Sequence, residues 1–237
     1  MEQQKIALIT GASQGLGFVL AQHLAARGWK LLITARRASL LREAQQQLAA
    51  HTEVVALSGD VRDEVHLLQL AEVLERQHWS LDLVVNNASA LGSPLKPLLD
   101  QAVEDLHTVL HTNTIAPISL LQKVRPYLRE GAKVINVSSD AAAEAYPTWG
   151  AYGGSKAGLD HMTAVLNEEN TAYTFYAFDP GDMRTQMHQA AFPDEDISDR
   201  PLPSEAAVPA LLTLADQPIA GGRYTIHSLK EHNYEIR

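Results

Sequence analysis

At 237 residues the chain is long enough to bury one sizeable core, and a single α/β domain over residues 1–237 is expected. Its 19 basic and 28 acidic residues give a formal charge of −9, which excludes an extended basic face for nucleic acid but not a local pocket for one phosphate. There is no cysteine, so disulfides and thiolate chemistry are excluded.

The opening residues, MEQQKIALIT, lack the basic and apolar regions of a signal peptide. No apolar run along the chain approaches the ~18 residues of a membrane span, so a cytoplasmic protein with no membrane partner is expected. Short apolar runs flanked by turn residues predict strands at Lys5–Thr10, Lys30–Thr34, Glu53–Leu57, Leu81–Asn86, Ala132–Val137, Tyr173–Phe178 and Arg223–Ile226. Helical periodicity predicts helices at Phe18–Arg27, Ser39–Ala50, Glu64–His78, Gln101–Arg129 and Ser155–Glu169. Strands alternating with helices require crossover connections. The expected fold is therefore α/β and doubly wound (Rossmann), a parallel sheet of about seven strands with helices on both faces and a crevice at the strands' carboxyl ends. Asp182–Pro203, rich in Pro, Asp and Gln, breaks the alternation and is predicted to be a loop of about 20 residues, a substrate lid near 182–203.

Between the first strand and helix stands TGASQGLG, from Thr10 to Gly17. Glycine lets the chain turn sharply and brings backbone N–H groups close to a phosphate, and the helix beginning near Gly15 adds its positive end. The same turn can also be a tight strand–helix connection with no ligand. The second strand ends in LLITARR. An acid there would accept from an adenosine ribose, but the position carries Ala35, followed by Arg36 and Arg37, whose guanidinium forks suit a 2′-phosphate. Two arginines can simply cap a strand at the surface; paired with the glycine turn they point to NADP(H). Ser13 adds a hydroxyl on the same side, and Gln14 is neutral.

The stretch VINVSSDAAAEAYPTWGAYGGSK holds Ser139, Tyr152 and Lys156 at spacings that can converge on a carbonyl oxygen. Tyr152 and Lys156 are four apart at a helix start and share a face. A free phenol near pKa 10 is a poor proton donor–acceptor at neutral pH, and a neighbouring ammonium favours its ionised form. Ser139 follows a predicted strand end; Ser138 is the competing hydroxyl, and strand alternation points the two in opposite directions. Trp149 lines the pocket or merely packs. His188 in the lid is expected to be a solvated loop histidine, and His107 and His111 to be helix-surface residues, so no metal is expected.

In chain order these segments resemble the short-chain dehydrogenase/reductase family over essentially the whole length. TGASQGLG is similar to its cofactor turn, with Gly11, Ser13, Gln14, Gly15, Leu16 and Gly17 as contacts. GDVRD is similar to its adenine segment, here Asp60 and Val61, and NNA, with Asn87 and Ala88, to its fourth-strand signature. Asn113, in HTNTIAP, falls at its helix-kink asparagine, and Ser139, Tyr152 and Lys156 at its catalytic residues. PGDMRT, with Pro180, Gly181, Met183 and Thr185, resembles the turn that holds the nicotinamide carboxamide.

The resemblance implies an NADP(H)-dependent enzyme acting on a small-molecule carbonyl or alcohol, with no metal. It implies Tyr152 as proton donor, Ser139 as holder of the carbonyl oxygen, Lys156 as partner of phenol and ribose, and Asn113 as holder of a water that resupplies the proton. It also implies a homodimer or homotetramer through the helices of Asn113 and Tyr152. The chain departs from the pattern at Ser89, usually glycine, at the Gly153–Gly154 pair, in a short stretch from Lys156 to Pro180, and in a C-terminus, GGRYTIHSLKEHNYEIR, without a glycine-rich ending. A 3-oxoacyl carrier-protein reductase and a non-catalytic cofactor-binding regulator are the rival readings. The first calls for a basic patch at the mouth, where the lid is mostly acidic; the second commonly loses the tyrosine or lysine present here.

Overall fold

Ile6–Thr10 (β1) is buried at all five positions, and a strand apolar on both faces belongs at the centre of a covered sheet. The structure, a computed structural model, describes residues 4–92, 94–231 and 234; positions 232, 233 and 235–237 of the C-terminal stretch lie outside the described residues. Beside β1 lie β2 (Lys30–Ala35) and β3 (Val54–Ser58) on one side, and β4 (Leu81–Asn86), β5 (Leu128–Val137), β6 (Thr174–Asp179) and β7 (Gly222–Thr225) on the other. The order is β3-β2-β1-β4-β5-β6-β7, and every pair is parallel.

Period-two alternation sends side chains into two cores. Ala7 and Ile9 pack with α1 (Gly15–Ala26), α2 (Ala38–Leu48) and α8 (Ala207–Asp216). Ile6 and Leu8 pack with α3 (Glu64–Gln77) and α5 (Ala116–Val124). From β1 the chain winds outward to β3, then returns to β4 and winds the other way. The crossovers leaving β1 and β4 therefore diverge, and a crevice opens above their carboxyl ends.

The seven expected strands are all present, while two helical expectations and one loop expectation change. Gln101–Arg129 is not continuous: α4 (Val103–Leu110) passes through a π turn at His111–Ile115 into α5, and β5 already starts at Leu128. Pro117 is the physical reason, because it has no N–H for the Asn113 carbonyl four residues back, and the widened turn instead joins Ala116 N–H to His111 O. The helix expected at Ser155 begins five residues earlier, as α6 (Gly150–Glu169), placing Tyr152 in its first turn. Segment 182–203 is not a bare loop. Thr185 Oγ1 accepts the His188 N–H at 3.2 Å and caps α7 (Gln186–Ala191). Beyond it Ile197 is buried and Phe192 packs 5.8 Å from Trp149, so the segment has apolar anchors its composition does not advertise.

The two glycines after Tyr152 differ in kind. A Cβ on Gly153 would stand 2.6 Å from the Ala141 carbonyl oxygen, whereas Gly154 is exposed with nothing within 4 Å. Gly153→Ala is expected to cost about 1–3 kcal/mol through overpacking against backbone. Gly154→Ala is expected to stabilise by roughly 0.5–1 kcal/mol through helix propensity. Urea titration of both variants reads the contrast, and equal midpoints would contradict it.

Candidate active site

One cleft of about 500 Å³ runs along the carboxyl ends of the strands, and almost every residue singled out in the sequence lines it. Of the catalytic and cofactor contacts expected from the sequence, Gly17 and Asn113 are not in its lining, nor are the histidines His107 and His111. The floor is built at the switch point. Thr10, at the end of β1, accepts the N–H groups of Asn87 (3.0 Å) and Ala88 (2.9 Å) on its hydroxyl. Asn87 in return donates its amide to the carbonyls of Thr10 (2.9 Å) and Gly11 (3.2 Å). This approach is so close that a Cβ on Gly17 would lie 2.5 Å from Asn87 Nδ2. Asn87 thus braces the glycine turn, a role the sequence did not assign to it or to Thr10.

The start of α1 has no side-chain cap, and its first turn holds no acid. Its free N–H groups and positive dipole end are left for an anion. A Cβ on Gly15, at φ +58, would meet only Thr185 Cγ2, at 3.9 Å, so the glycine turn and the turn carrying Thr185 come close to each other in the cleft lining. Arg36 and Arg37 are exposed at the rim, with the Arg37 guanidinium donating to the Gln14 side-chain oxygen. An uncapped helix end, a turn without Cβ atoms at Gly11, Gly15 and Gly17, and two arginines fit a dinucleotide bearing a 2′-phosphate. Asp60 also lines the cleft, but Arg62 already holds its carboxylate at 2.8 Å and lowers its pKa. Beneath this end His66 is buried; its Nε2 shares a hydrogen bond with Thr34 Oγ1 at 2.7 Å, its Nδ1 has no partner, and burial lowers its pKa.

At the other end of the cleft stand Ser139, Tyr152 and Lys156. Lys156 is 2% exposed and donates to the Val137 carbonyl at 2.7 Å, with Nζ 5.6 Å from the Tyr152 ring centre. Burial pulls its ammonium down to about 8, against the opposing pull of Asp160. Burial pushes the Tyr152 phenol up to about 12, while hydrogen bonds with Ser139 and Ser89 act to lower it. Lys156 sits against the tyrosine ring, and burial has the largest effect on the phenol in this arrangement. Ser139 donates its hydroxyl to Asp140 Oδ1 at 2.8 Å, a neighbour the sequence reading passed over. Ser138 is buried, and its hydroxyl has no partner.

Asn113 lies in the π turn with its side chain saturated. Its oxygen accepts from Ala90 N–H (2.7 Å) and Ser89 Oγ (3.0 Å), and its amide donates to Ala90 O (2.8 Å) and Ser155 Oγ (2.9 Å). His188, expected to be solvated, is instead only 12% exposed, packed 5.0 Å from Phe192 and 3.8 Å from Asp182 in the cleft wall. Trp149 packs edge-on to Tyr152 at 5.6 Å and lines the cleft as well. Among the described residues no group of three or more His, Asp or Glu is placed to hold a metal ion, and no helix is long and apolar enough to cross a membrane.

A doubly wound parallel sheet with a phosphate cradle at its switch point defines a dinucleotide-binding α/β protein. The family model described as short chain dehydrogenase matches residues 5–196, and the chain belongs to this family of oxidoreductases, which bind a nicotinamide cofactor. It is 34% identical over 164 residues to sulfoacetaldehyde reductase 2 of Chromohalobacter salexigens, covering 68% of this chain and 65% of that protein's length. It is 31% identical over 196 residues to the NADP-dependent 3-hydroxy acid dehydrogenase of Schizosaccharomyces pombe, covering 79% of this chain and 75% of the relative. Among solved structures, a short chain dehydrogenase of Shigella flexneri 2a in complex with NADP superimposes with a TM-score of 0.88 at 27% identity, covering 94% of this chain and 97% of that one.

Proposed function

We propose that this chain is an NADP(H)-dependent oxidoreductase that interconverts a small-molecule ketone or aldehyde and its alcohol. The observation that carries the reading is the convergence of Ser139, Tyr152 and Lys156 on one cleft, with the phenol kept neutral by burial. When bound, the nicotinamide supplies the hydride. Tyr152 holds its proton at neutral pH and lies on the cleft wall, which suits donation to a carbonyl oxygen. Ser139 offers a second group to that oxygen, fixed before charge develops on it. Lys156 gives one N–H to Val137 and has two more for ribose hydroxyls. Its charge favours the phenolate that proton transfer leaves behind. Since the Asn113 side chain is saturated, a water that resupplies the proton would rest on its main-chain carbonyl, the one Pro117 has no N–H to engage.

Arg36 and Arg37, with Ala35 in place of an acid, favour NADPH over NADH. Asp140, Asp179 and Asp182 line the substrate side and would repel an acidic carrier protein, which favours a small substrate over a carrier-bound acyl chain. The outward faces of α4, the π turn and α6 carry Leu110 (41% exposed), Ile115 (50%), Met162 (40%) and Val165 (40%), which supports pairing with a second copy.

Tyr152→Phe is expected to lower NADPH-dependent carbonyl reduction by ~10²–10⁴-fold with cofactor affinity nearly unchanged; near-wild-type turnover would sink the mechanism. Replacing Ala35 by Asp and both arginines by neutral residues is expected to turn preference toward NADH, and a wild-type protein that binds both cofactors equally in direct titration would refute the assignment. Sedimentation at micromolar concentration is expected to show a dimer or tetramer; a monomer would remove the pairing.

A further inference from the structure

The residues assigned to chemistry above sit on three separate elements: Ser139 after β5, Tyr152 and Lys156 on α6, and Pro180–Gly181 after β6. A single side chain from the far edge of the sheet touches all three. Arg223, on β7, donates Nε to Asp160 Oδ2 at 2.9 Å, and Nη2 to the Ser139 main-chain oxygen at 3.0 Å and to Asp179 Oδ2 at 3.3 Å. Asp160 stands one helical turn beyond Lys156. Asp179 ends β6, and its other oxygen accepts the Gly181 N–H at 2.9 Å. The two carboxylates are 14% and 8% exposed, whereas the guanidinium is 34% exposed. Two sheltered carboxylates near one another are tolerable only with a cation between them. The planar fork of arginine can serve several acceptors at once, which a lysine cannot reproduce.

We propose that Arg223 is a positioning residue for the reaction: its guanidinium locks the Ser139 backbone, α6 and the β6 turn together, and its charge balances Asp160 and Asp179 so that Asp160 does not act unopposed on Lys156. The proposal rests on the functional reading above for what Lys156 does. The groups that face this corner are Tyr152 and Asp160 from α6, the Val137 carbonyl and Asp140 from the end of β5, Asp179 from β6 and Arg223 from β7. Asp140 is exposed and engaged by the hydroxyls of Ser139 and Tyr146. Asp160 keeps a second oxygen that is buried and without a hydrogen-bond partner, so its remaining field falls on its neighbours. That field already raises the Lys156 ammonium against burial. Removing the Arg223 charge would strengthen the pull. Lys156 would then keep its proton to higher pH, and any property that needs the ammonium would persist further into alkali.

The test uses the full chain and two readouts, NADPH affinity by fluorescence titration from pH 6 to 10 and kcat for a carbonyl that the wild type reduces. In Arg223→Gln the alkaline loss of NADPH affinity and of kcat is expected to move up by about one pH unit, and kcat at neutral pH to fall on the order of 10-fold. Arg223→Lys retains the charge without the fork, so its alkaline limb should stay where the wild type has it while kcat remains depressed. Asp160→Asn should move the limb down, which keeps the question open to experiment even if the glutamine variant does not fold. An alkaline limb that stays put in both Arg223→Gln and Asp160→Asn, or that moves equally in Arg223→Lys, would overturn the proposal. A wild type that reduces no carbonyl would instead count against the functional reading, because the binding titration needs no substrate.

Discussion

The cleft exists because two strand ends that diverge in topology are tied together in space. Across the switch point the hydroxyl of Thr10, closing β1, accepts the N–H groups of Asn87 and Ala88 just past β4, and the Asn87 amide donates to the carbonyls of Thr10 and Gly11. Each such bond contributes on the order of 1 kcal/mol, and a buried partner left alone costs more than the bond supplied. The β1–β4 ladder has ended by then at Ile9 and Val85, so these side chains stand in for the pairing of those two strands. The glycine turn follows from this constraint, since backbone packed against Asn87 leaves no room for a Cβ at Gly17.

Burial then sets the chemistry of the opposite end. Desolvation disfavours the charged form of every group, so it moves the phenol of Tyr152 and the ammonium of Lys156 in opposite directions, to about 12 and about 8. Between these values both groups do not hold their protons alike, but at neutral pH each remains a donor. A similar economy operates deeper in the sheet. Asn86 donates to Asn136 at 2.8 Å, and Asn136 to Thr163 at 2.8 Å, a buried polar chain that joins β4 and β5 to α6. Such a chain fixes the height of the helix that presents Tyr152 and Lys156.

Much of this was legible in the sequence. The central strands, buried on both faces, are short apolar runs, and the strands at β3 and β7, less buried, were marked by the turn residues around them. The glycine turn and the Ser–Tyr–Lys stretch are contiguous, so their residues stand side by side in the sequence, and it was their order along the chain, more than the spacing within either, that brought them forward. Interactions set by topology were not legible. Arg223 lies 44, 63 and 84 residues from Asp179, Asp160 and Ser139, and no periodicity links them. The π turn needed Pro117 to be weighed against the carbonyl four residues earlier, where the apolar period runs on unbroken. His188 and the anchors of segment 182–203 were hidden by a polar composition in which two residues, Phe192 and Ile197, decide the packing.

The hydroxyl of Ser139 has one proton, and Asp140 holds it at 2.8 Å. A carbonyl oxygen entering the cleft can take that proton only by drawing it away from a carboxylate, which is the stronger acceptor. An alcohol asks for the reverse, because its own proton needs a lone pair, and the serine oxygen has a second one beside that which accepts the Ala141 N–H at 3.2 Å. The two partners of a redox pair therefore meet an unequal reception from the same side chain before any chemistry begins.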